Sequence, residues 1–373
     1  MTNSSSSVLG MSERVLKHED RSASLEAIVG DEPFLLLLCA DGHGGAEAAE
    51  LCHSAVLSYV VEFAAADPSA ESLREACMRA FARIQADVLS VSRTAGATLT
   101  VVAINQARAE LTVAHVGDSS ALLVEATGET LLTAEHRLED SAEERERARA
   151  AGAKLGRAKT LDGESGGPLR AFPGGLAVCR TIGDGDCPAA SAMPYVSTAP
   201  FDAAVGGAVL IASDGVWDAL PHAKAARAVR HARTAREAAD IVVDKAAKAR
   251  GLRDDISAVV AWLGTPAWDA SLHESRASKL GKRLFGGGRG ARTSGGGGGS
   301  ASDSPDATSP TSTPPASHLS SPVASYNNLE LLEAIDSISP EDSRHGHPAT
   351  PVGDAHAEAG SPPSQKVVMK VNV

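Results

Sequence analysis

Four acidic sites in this sequence sit at the ends of apolar runs. Asp41 closes FLLLLCA and is followed by Gly42-His43-Gly44-Gly45, and Asp118 follows ELTVAHVG. Asp214 follows VLIAS and precedes Gly215, while Asp254 and Asp255 stand just before ISAVVAWL. One Asp after a buried strand is ordinarily a turn former. Several carboxylates gathered by neighbouring strand ends repel one another and lose hydration, and the usual relief is a shared proton or a bound cation. Hard divalent ions such as Mg²⁺ and Mn²⁺ prefer oxygen ligands and keep several waters. Glycine beside Asp41 and Asp214 lets the backbone approach such an ion, which makes the Gly42 carbonyl a further candidate ligand. Water on such an ion is nucleophilic at neutral pH, and two ions ~3.5–4 Å apart clamp an in-line displacement at phosphorus. The residues alone therefore point to metal-assisted hydrolysis without naming the ester.

The elements that must position these acids are legible from periodicity. Ser24–Val29 and Phe34–Ala40 read as strands around a Gly-Asp turn, the second apolar on both faces as a strand between two packed layers would be. Ala49, Cys52, Val56, Val60 and Phe63 then share one helical face, as do Leu73, Cys77, Ala80, Ile84 and Val88. Asp67-Pro68 is the expected start of that second helix. The segments at 97–104, 110–116 and 120–125 read as antiparallel neighbours, since their connections are short. A charged helix is predicted near Glu143, a strand at Ala208–Ala212, helices near 217–248 and a closing strand over 256–263. This order does not alternate as a βαβ fold would. It predicts an α+β class, with an antiparallel sheet or sandwich carrying helices on its faces.

The 373 residues divide unevenly in composition. An Ala- and Val-rich part can build a core, whereas the chain beyond about Gly281 is Gly-, Ser- and Pro-rich and buries too little apolar surface to offset its ordering entropy. The expected organisation is a flexible N-terminus over 1–12, one catalytic domain over 13–265, and a low-complexity, mostly disordered tail over 266–373. A net charge of −12 excludes a nucleic-acid-coating protein, which needs a basic face. Five cysteines without CxxC spacing argue against a disulfide framework or zinc site and for a reducing compartment. The N-terminus shows no secretory signal and no apolar run could span a bilayer, so the expectation is an intracellular protein, cytoplasmic or nuclear, without membrane insertion.

Eight segments fall in order along the chain: HED (18–20), CADGHGG (39–45), AGATLTVVAI (95–104), VAHVGDSSALL (113–123), TAEH (133–136), GGLAVCRTIGD (174–184), LIASDGVWDAL (210–220) and GLRDDISAVV (251–260). Together they resemble the metal-dependent protein phosphatase family, type 2C, and the stretch from PGGLAVCRTIGDGD to SDGVWDAL resembles its plant-type members. The resemblance spans Lys17 to Leu263, which is essentially the whole globular part. It implies a four-layer αββα fold: an antiparallel β-sandwich flanked by helices on both faces. It also implies a serine/threonine phosphoprotein phosphatase using two Mg²⁺ or Mn²⁺ ions, with a weaker third, in which metal-bound water attacks the phosphate.

Carried over by position, Asp41 would bridge two ions. The Gly42 carbonyl, Glu19 and its neighbour Asp20 would serve one of them, partly through water. Asp214 and Asp254 would hold the other; Asp255 stands where the family has Asn, so Asp254 is the ligand of that pair. Asp118 and Asp218 match positions tied to the third ion. His43 matches the general acid that protonates the leaving serine or threonine oxygen. Many family members carry a phosphate-gripping Arg four residues before the Glu of HED; here that residue is Val15. Arg14 or Lys17 is left to supply the charge, Lys17 as a point charge and without a guanidinium's bidentate grip. Cys39 and Cys179 read as core residues and not as nucleophiles.

The expected partners are phosphoprotein substrates acted on by a monomeric catalytic domain. A basic stretch from Arg276 to Arg292 and seven Ser-Pro or Thr-Pro pairs make the tail a candidate for partner binding or phosphorylation. Two competing readings are a docking module on a catalytically weak phosphatase fold and a hydrolase of small phosphate esters. The complete set Glu19, Asp41, Asp214 and Asp254 favours the enzyme over the docking module.

Overall fold

Why FLLLLCA is apolar on both faces is visible in its alternation. Leu36, Leu38 and Ala40 pack toward a helical layer, whereas Leu35, Leu37 and Cys39 pack toward a second sheet. The strand lies between two hydrophobic layers, so neither face tolerates a polar residue until its end. The structure, a computed structural model, describes residues 8–159, 165–264 and 370–372.

The chain opens with β1 (Leu9–Arg14), β2 (Asp20–Val29) and β3 (Glu32–His43), then α1 (Glu47–Ala64) and α2 (Ala70–Val91). Next come β4 (Gly96–Ala97), β5 (Leu99–Asn105), β6 (Glu110–Val116), β7 (Ser120–Val124), β8 (Glu129–Leu131) and α3 (Ala142–Ala150). A hairpin of β9 (Lys154–Lys159) and β10 (Ser165–Phe172) leads to β11 (Ile182–Gly183), β12 (Tyr195–Pro200) and β13 (Gly207–Ala212). The remaining elements are α4 (Asp214–Trp217), α5 (His222–Arg230), α6 (Ala235–Arg250), β14 (Ile256–Leu263) and β15 (Lys370–Asn372).

One sheet runs β1-β14-β13-β7-β8, and the other runs β2-β3-β5-β6-β12 with β4 and β11 beyond the end of β3. The pairings within both are antiparallel. Helices α1 and α2 cover the second sheet and α4 to α6 cover the first. Val209, Ile211, Val259 and Ala261 of one sheet meet Leu35, Leu37, Val102 and Val113 of the other in the central layer. The four-layer αββα architecture is therefore present.

Three local expectations need correction, and a fourth falls almost wholly outside the described residues. The N-terminal segment expected to be flexible over 1–12 contains β1, whose Leu9 and Met11 pack against the central layer and whose backbone pairs with β14. The strands at 110–116 and 120–124 are not neighbours: β6 pairs with β5 and β12, while β7 pairs with β13 and β8. Between them the chain crosses from sheet to sheet through Gly117, at φ 96°. The second helix is capped by Ser69, which accepts from Ser72 N, and Asp67 instead accepts from Ser69 N at 2.9 Å. The expected disordered tail over 266–373 lies outside the described residues except for β15, which pairs with the edge of β2.

Candidate active site

Asp41 is two residues beyond Cys39, so it continues the row that faces the other sheet, now at the open end of the sandwich. Antiparallel pairing of β2 and β3 sets Asp20 directly opposite it. The Asp41 amide donates to Thr98 Oγ1 at 3.3 Å, its carbonyl accepts from Thr98 N at 2.8 Å, and Thr98 Oγ1 is 2.8 Å from Ser119 Oγ. Thr98 thus braces the end of β3. Gly42 lies against the backbone of the preceding loop, its N–H donating to Glu19 O at 3.2 Å. A Cβ there would stand 2.8 Å from that oxygen, so only glycine lets Glu19 and Asp20 sit this close to Asp41.

From the other sheet, Asp214 begins α4 immediately after β13. Ser213 exchanges bonds with Ser257 at the start of β14, N to O at 3.1 Å and from Ser257 N to Ser213 Oγ at 3.1 Å. That clasp draws Asp214 beside Asp254 and Asp255. The two adjacent acids then diverge. Asp255 is buried and accepts backbone N–H bonds from Leu16 and Lys17 on Oδ1, and from Glu19 at 2.7 Å and Asp20 at 3.2 Å on Oδ2. Burial works against its ionisation, but the four N–H dipoles prevail and hold it down at about 2. Asp254 faces the cleft, where Lys17 Nζ meets its Oδ2 at 2.7 Å. An open hollow of about 180 Å³ beside it is lined by Asp214, Asp218, Asp254, Arg250 and Arg253.

The unpaired acids carry the cost of this gathering. Burial pushes Asp41 well above the carboxylate range, and repulsion from Asp20, Asp214, Asp118 and Asp254 adds to it. Burial likewise raises Asp214 to about 7, with Asp118 and Asp218 adding to the effect and Arg137 opposing it. Asp20 is raised to about 6, chiefly by burial, and its Oδ2 is buried without a hydrogen-bond partner. Among the described residues no trio of His, Cys, Asp or Glu already stands at ligand spacing. The orphaned Asp20 oxygen, an all-oxygen donor set and mutually raised acids nevertheless fit a hard divalent cation.

His43 Nε2 is bonded to both oxygens of Asp184, at 3.0 and 2.9 Å. Burial disfavours the charged ring, yet the Asp184 bond and charge, with Asp118 and Glu19, outweigh it and raise the His43 pKa. Gly96 permits this pair, because a Cβ there would overlap both Asp184 Oδ2 and His43 Nε2.

Of the residues named from sequence, Glu19, Asp20, Asp41, Gly42, Asp214, Asp254 and Lys17 gather at this end of the sandwich, with His43 beside them. Asp118 and Asp218 border the group and are bonded to Arg137. Arg14 is not brought in: β1 runs beside α6, and Arg14 Nη2 pairs with Asp244 of that helix at 2.6 Å. Sequence reasoning missed Asp184, though it ends the quoted GGLAVCRTIGD segment, and Arg137, which directly follows the quoted TAEH. The five cysteines are free and buried, and burial raises the Cys39 and Cys179 thiols, the latter to about 12. That is opposite to what a thiolate nucleophile needs.

A family model described as Protein phosphatase 2C matches residues 6–256. The chain is 38% identical over 243 residues to the Arabidopsis thaliana protein named "Probable protein phosphatase 2C 5", covering 63% of this chain and 56% of that protein. It is 38% identical over 256 residues to "Probable protein phosphatase 2C 3" of Oryza sativa subsp. japonica, covering 67% of this chain and 52% of the relative. The chain thus spans about half the length of the curated relatives it matches. Among solved structures, it is similar to a C. elegans sex-determining protein, with a TM-score of 0.61, 24% identity and coverage of 72% of this chain and 67% of that one. It is also similar to a serine-threonine phosphatase 2C from Toxoplasma gondii, with a TM-score of 0.56, 20% identity and coverage of 70% and 96%. Both share the fold.

Proposed function

Because the chain belongs to the protein phosphatase 2C family, we propose that it hydrolyses phosphoserine and phosphothreonine esters of phosphoprotein substrates with two divalent cations, Mg²⁺ or Mn²⁺. The observation that carries this reading is the gathering of Asp20, Asp41 and Asp214, raised chiefly by burial and further by neighbouring carboxylates, with Asp254 beside them at one end of the sandwich. Asp41 and the Gly42 carbonyl, with Glu19 and Asp20, would hold one ion, and Asp41, Asp214 and Asp254 the other. When bound, the ions supply charge neutralisation and a water of lowered pKa.

The chain's own residues do the rest. Thr98 and Ser119 fix the height of Asp41 within the site. Asp255 ties the 16–20 segment through its backbone, so Glu19 and Asp20 approach in a set geometry before any ion arrives. Asp184 favours the protonated form of His43, which would make the ring a proton donor for the departing serine or threonine oxygen. Lys17, on the rim with Asp254, contributes the positive charge for phosphate that Val15 lacks.

The test is phosphate release from a phosphothreonine peptide with Mn²⁺ or with excess EDTA, alongside Asp41→Asn and Asp214→Asn. Turnover that needs metal and is lost in both variants is expected. Turnover undiminished by EDTA or by either variant overturns the reading.

A further inference from the structure

Arg137 stands among three carboxylates. Its Nε donates to Asp118 Oδ2 at 2.8 Å, its Nη1 donates to Asp218 Oδ1 at 2.8 Å, and its Nη2 is 3.6 Å from Asp214 Oδ2. Arg250 Nη1 donates to the remaining oxygen of Asp218, Oδ2, at 2.6 Å. Both oxygens of Asp218 are therefore already in charge-assisted bonds, and neither guanidinium can shed its proton. Asp118 and Asp218 are the two positions that the family resemblance ties to a weaker third ion.

Local structure fixes the guanidinium. His136, just before it, is buried and stacked on His115 with ring centroids 4.4 Å apart. Leu138, just after it, is fully buried and donates its N–H to Ala177 O at 2.9 Å. Arg137 itself forms a backbone bridge with Val178. A side chain anchored on both flanks loses little further entropy in holding one position.

Formal charge then separates two compartments. Glu19, Asp20, Asp41, Asp214 and Asp254 against Lys17 leave four negative charges, the amount two divalent ions neutralise. Asp118 and Asp218 against Arg137 and Arg250 leave none. A third divalent ion there would add two positive charges beside two permanent cations, and to reach Asp218 it would first have to break the bonds that Arg137 and Arg250 make to its two oxygens.

We propose that Arg137 is a tethered cation occupying the place of a third metal ion, so that this chain binds two divalent ions and not three. The inference rests on the two-ion reading above. Arg137 is on this account a positioning residue: it neutralises Asp118 and Asp218 permanently and keeps a positive charge beside Asp214 whatever the metal concentration.

The experiment counts Mn²⁺ bound per full-length chain, from the free-ion electron paramagnetic resonance signal, at pH 7.5 up to millimolar Mn²⁺. Two ions are expected for the wild type and for Arg137→Lys. Three are expected for Arg137→Gln, falling back to two in Arg137→Gln with Asp118→Asn. Three ions in the wild type, or only two in folded Arg137→Gln, overturn the proposal. The wild-type count alone keeps it open to refutation if the Gln variant does not fold. A wild type that binds no Mn²⁺ overturns the two-ion reading, a result distinct from binding three.

Discussion

Replacing Asp255 with Asn tests whether this carboxylate and not the metal organises the 16–20 segment. Asp255 is 3% exposed and receives four backbone N–H donors. Its displacement from an ordinary 3.8 to about 2 corresponds to ~2 kcal/mol of stability at neutral pH, at about 1.4 kcal/mol per tenfold. Asn keeps one carbonyl oxygen but turns an NH₂ toward the other donors, leaving buried N–H groups unsatisfied at a further cost of ~1 kcal/mol or more. Urea unfolding of the metal-free chain at pH 7.5 should therefore show a loss of ~3 kcal/mol, which lowers the midpoint by ~1 M or more. The sign with pH is fixed. A depressed acid stabilises above its unfolded value and loses that contribution as pH falls through its folded value, so the gap between Asn and Asp chains should be full at pH 5 and narrow from pH 4 toward pH 2. An unchanged midpoint at pH 7.5 would refute the clasp. A gap that does not narrow in acid would refute its electrostatic origin.

Metal stabilisation should run the other way with pH. Asp41, Asp20 and Asp214 are raised, the latter two to about 6 and about 7, so in the metal-free chain they favour folding in acid and weaken it as pH rises through those values. Mn²⁺ must displace those protons, so its increase in Tm should be larger at pH 7.5 than at pH 5.5; equal increases would contradict the competition. Asp184→Asn removes the charge that raises the His43 pKa. It should cut kcat on a phosphothreonine peptide ~100-fold, with the alkaline limb of the pH profile moved down, and spare an aryl phosphate whose leaving group needs no proton. Equal losses on both substrates would remove His43 from the proton-donor role.

What the sequence disclosed was whatever a single strand or helix can report about itself. FLLLLCA declares a doubly covered strand, and an acid at its end is conspicuous because it breaks that run. The two helical faces after it are equally self-contained. What it hid were partners chosen by the fold. Asp184 meets His43 across 141 residues, and no local pattern marks it as an imidazole's partner. The change of sheet between β6 and β7 was hidden for a similar reason: a three-residue link fits a hairpin or a crossing, and the Gly117 backbone decides. β1 was overlooked because six residues with only two apolar positions bury little alone and form a strand by pairing with β14. Arg14, one residue from the expected register, went to α6 because an edge strand's side chains follow the neighbour its sheet provides.

Asp254 and Asp255 show how one end of a sandwich manages more negative charge than it can bury. They are chemically identical neighbours on an extended approach to β14, so their side chains leave on opposite sides. The inward side meets four N–H dipoles, and Asp255 stays ionised with no ion at all. The cleft side meets only Lys17 and more acids, so Asp254 joins a group that requires cations from solution. Asp118 and Asp218 take a third course, with guanidinium groups as counter-ions. Only the middle group responds to metal concentration. Exchanging the cleft acid should therefore change metal affinity and leave folding intact, whereas exchanging its neighbour should first change folding. Opposite outcomes from adjacent, identical residues are hard to obtain from any arrangement but this one.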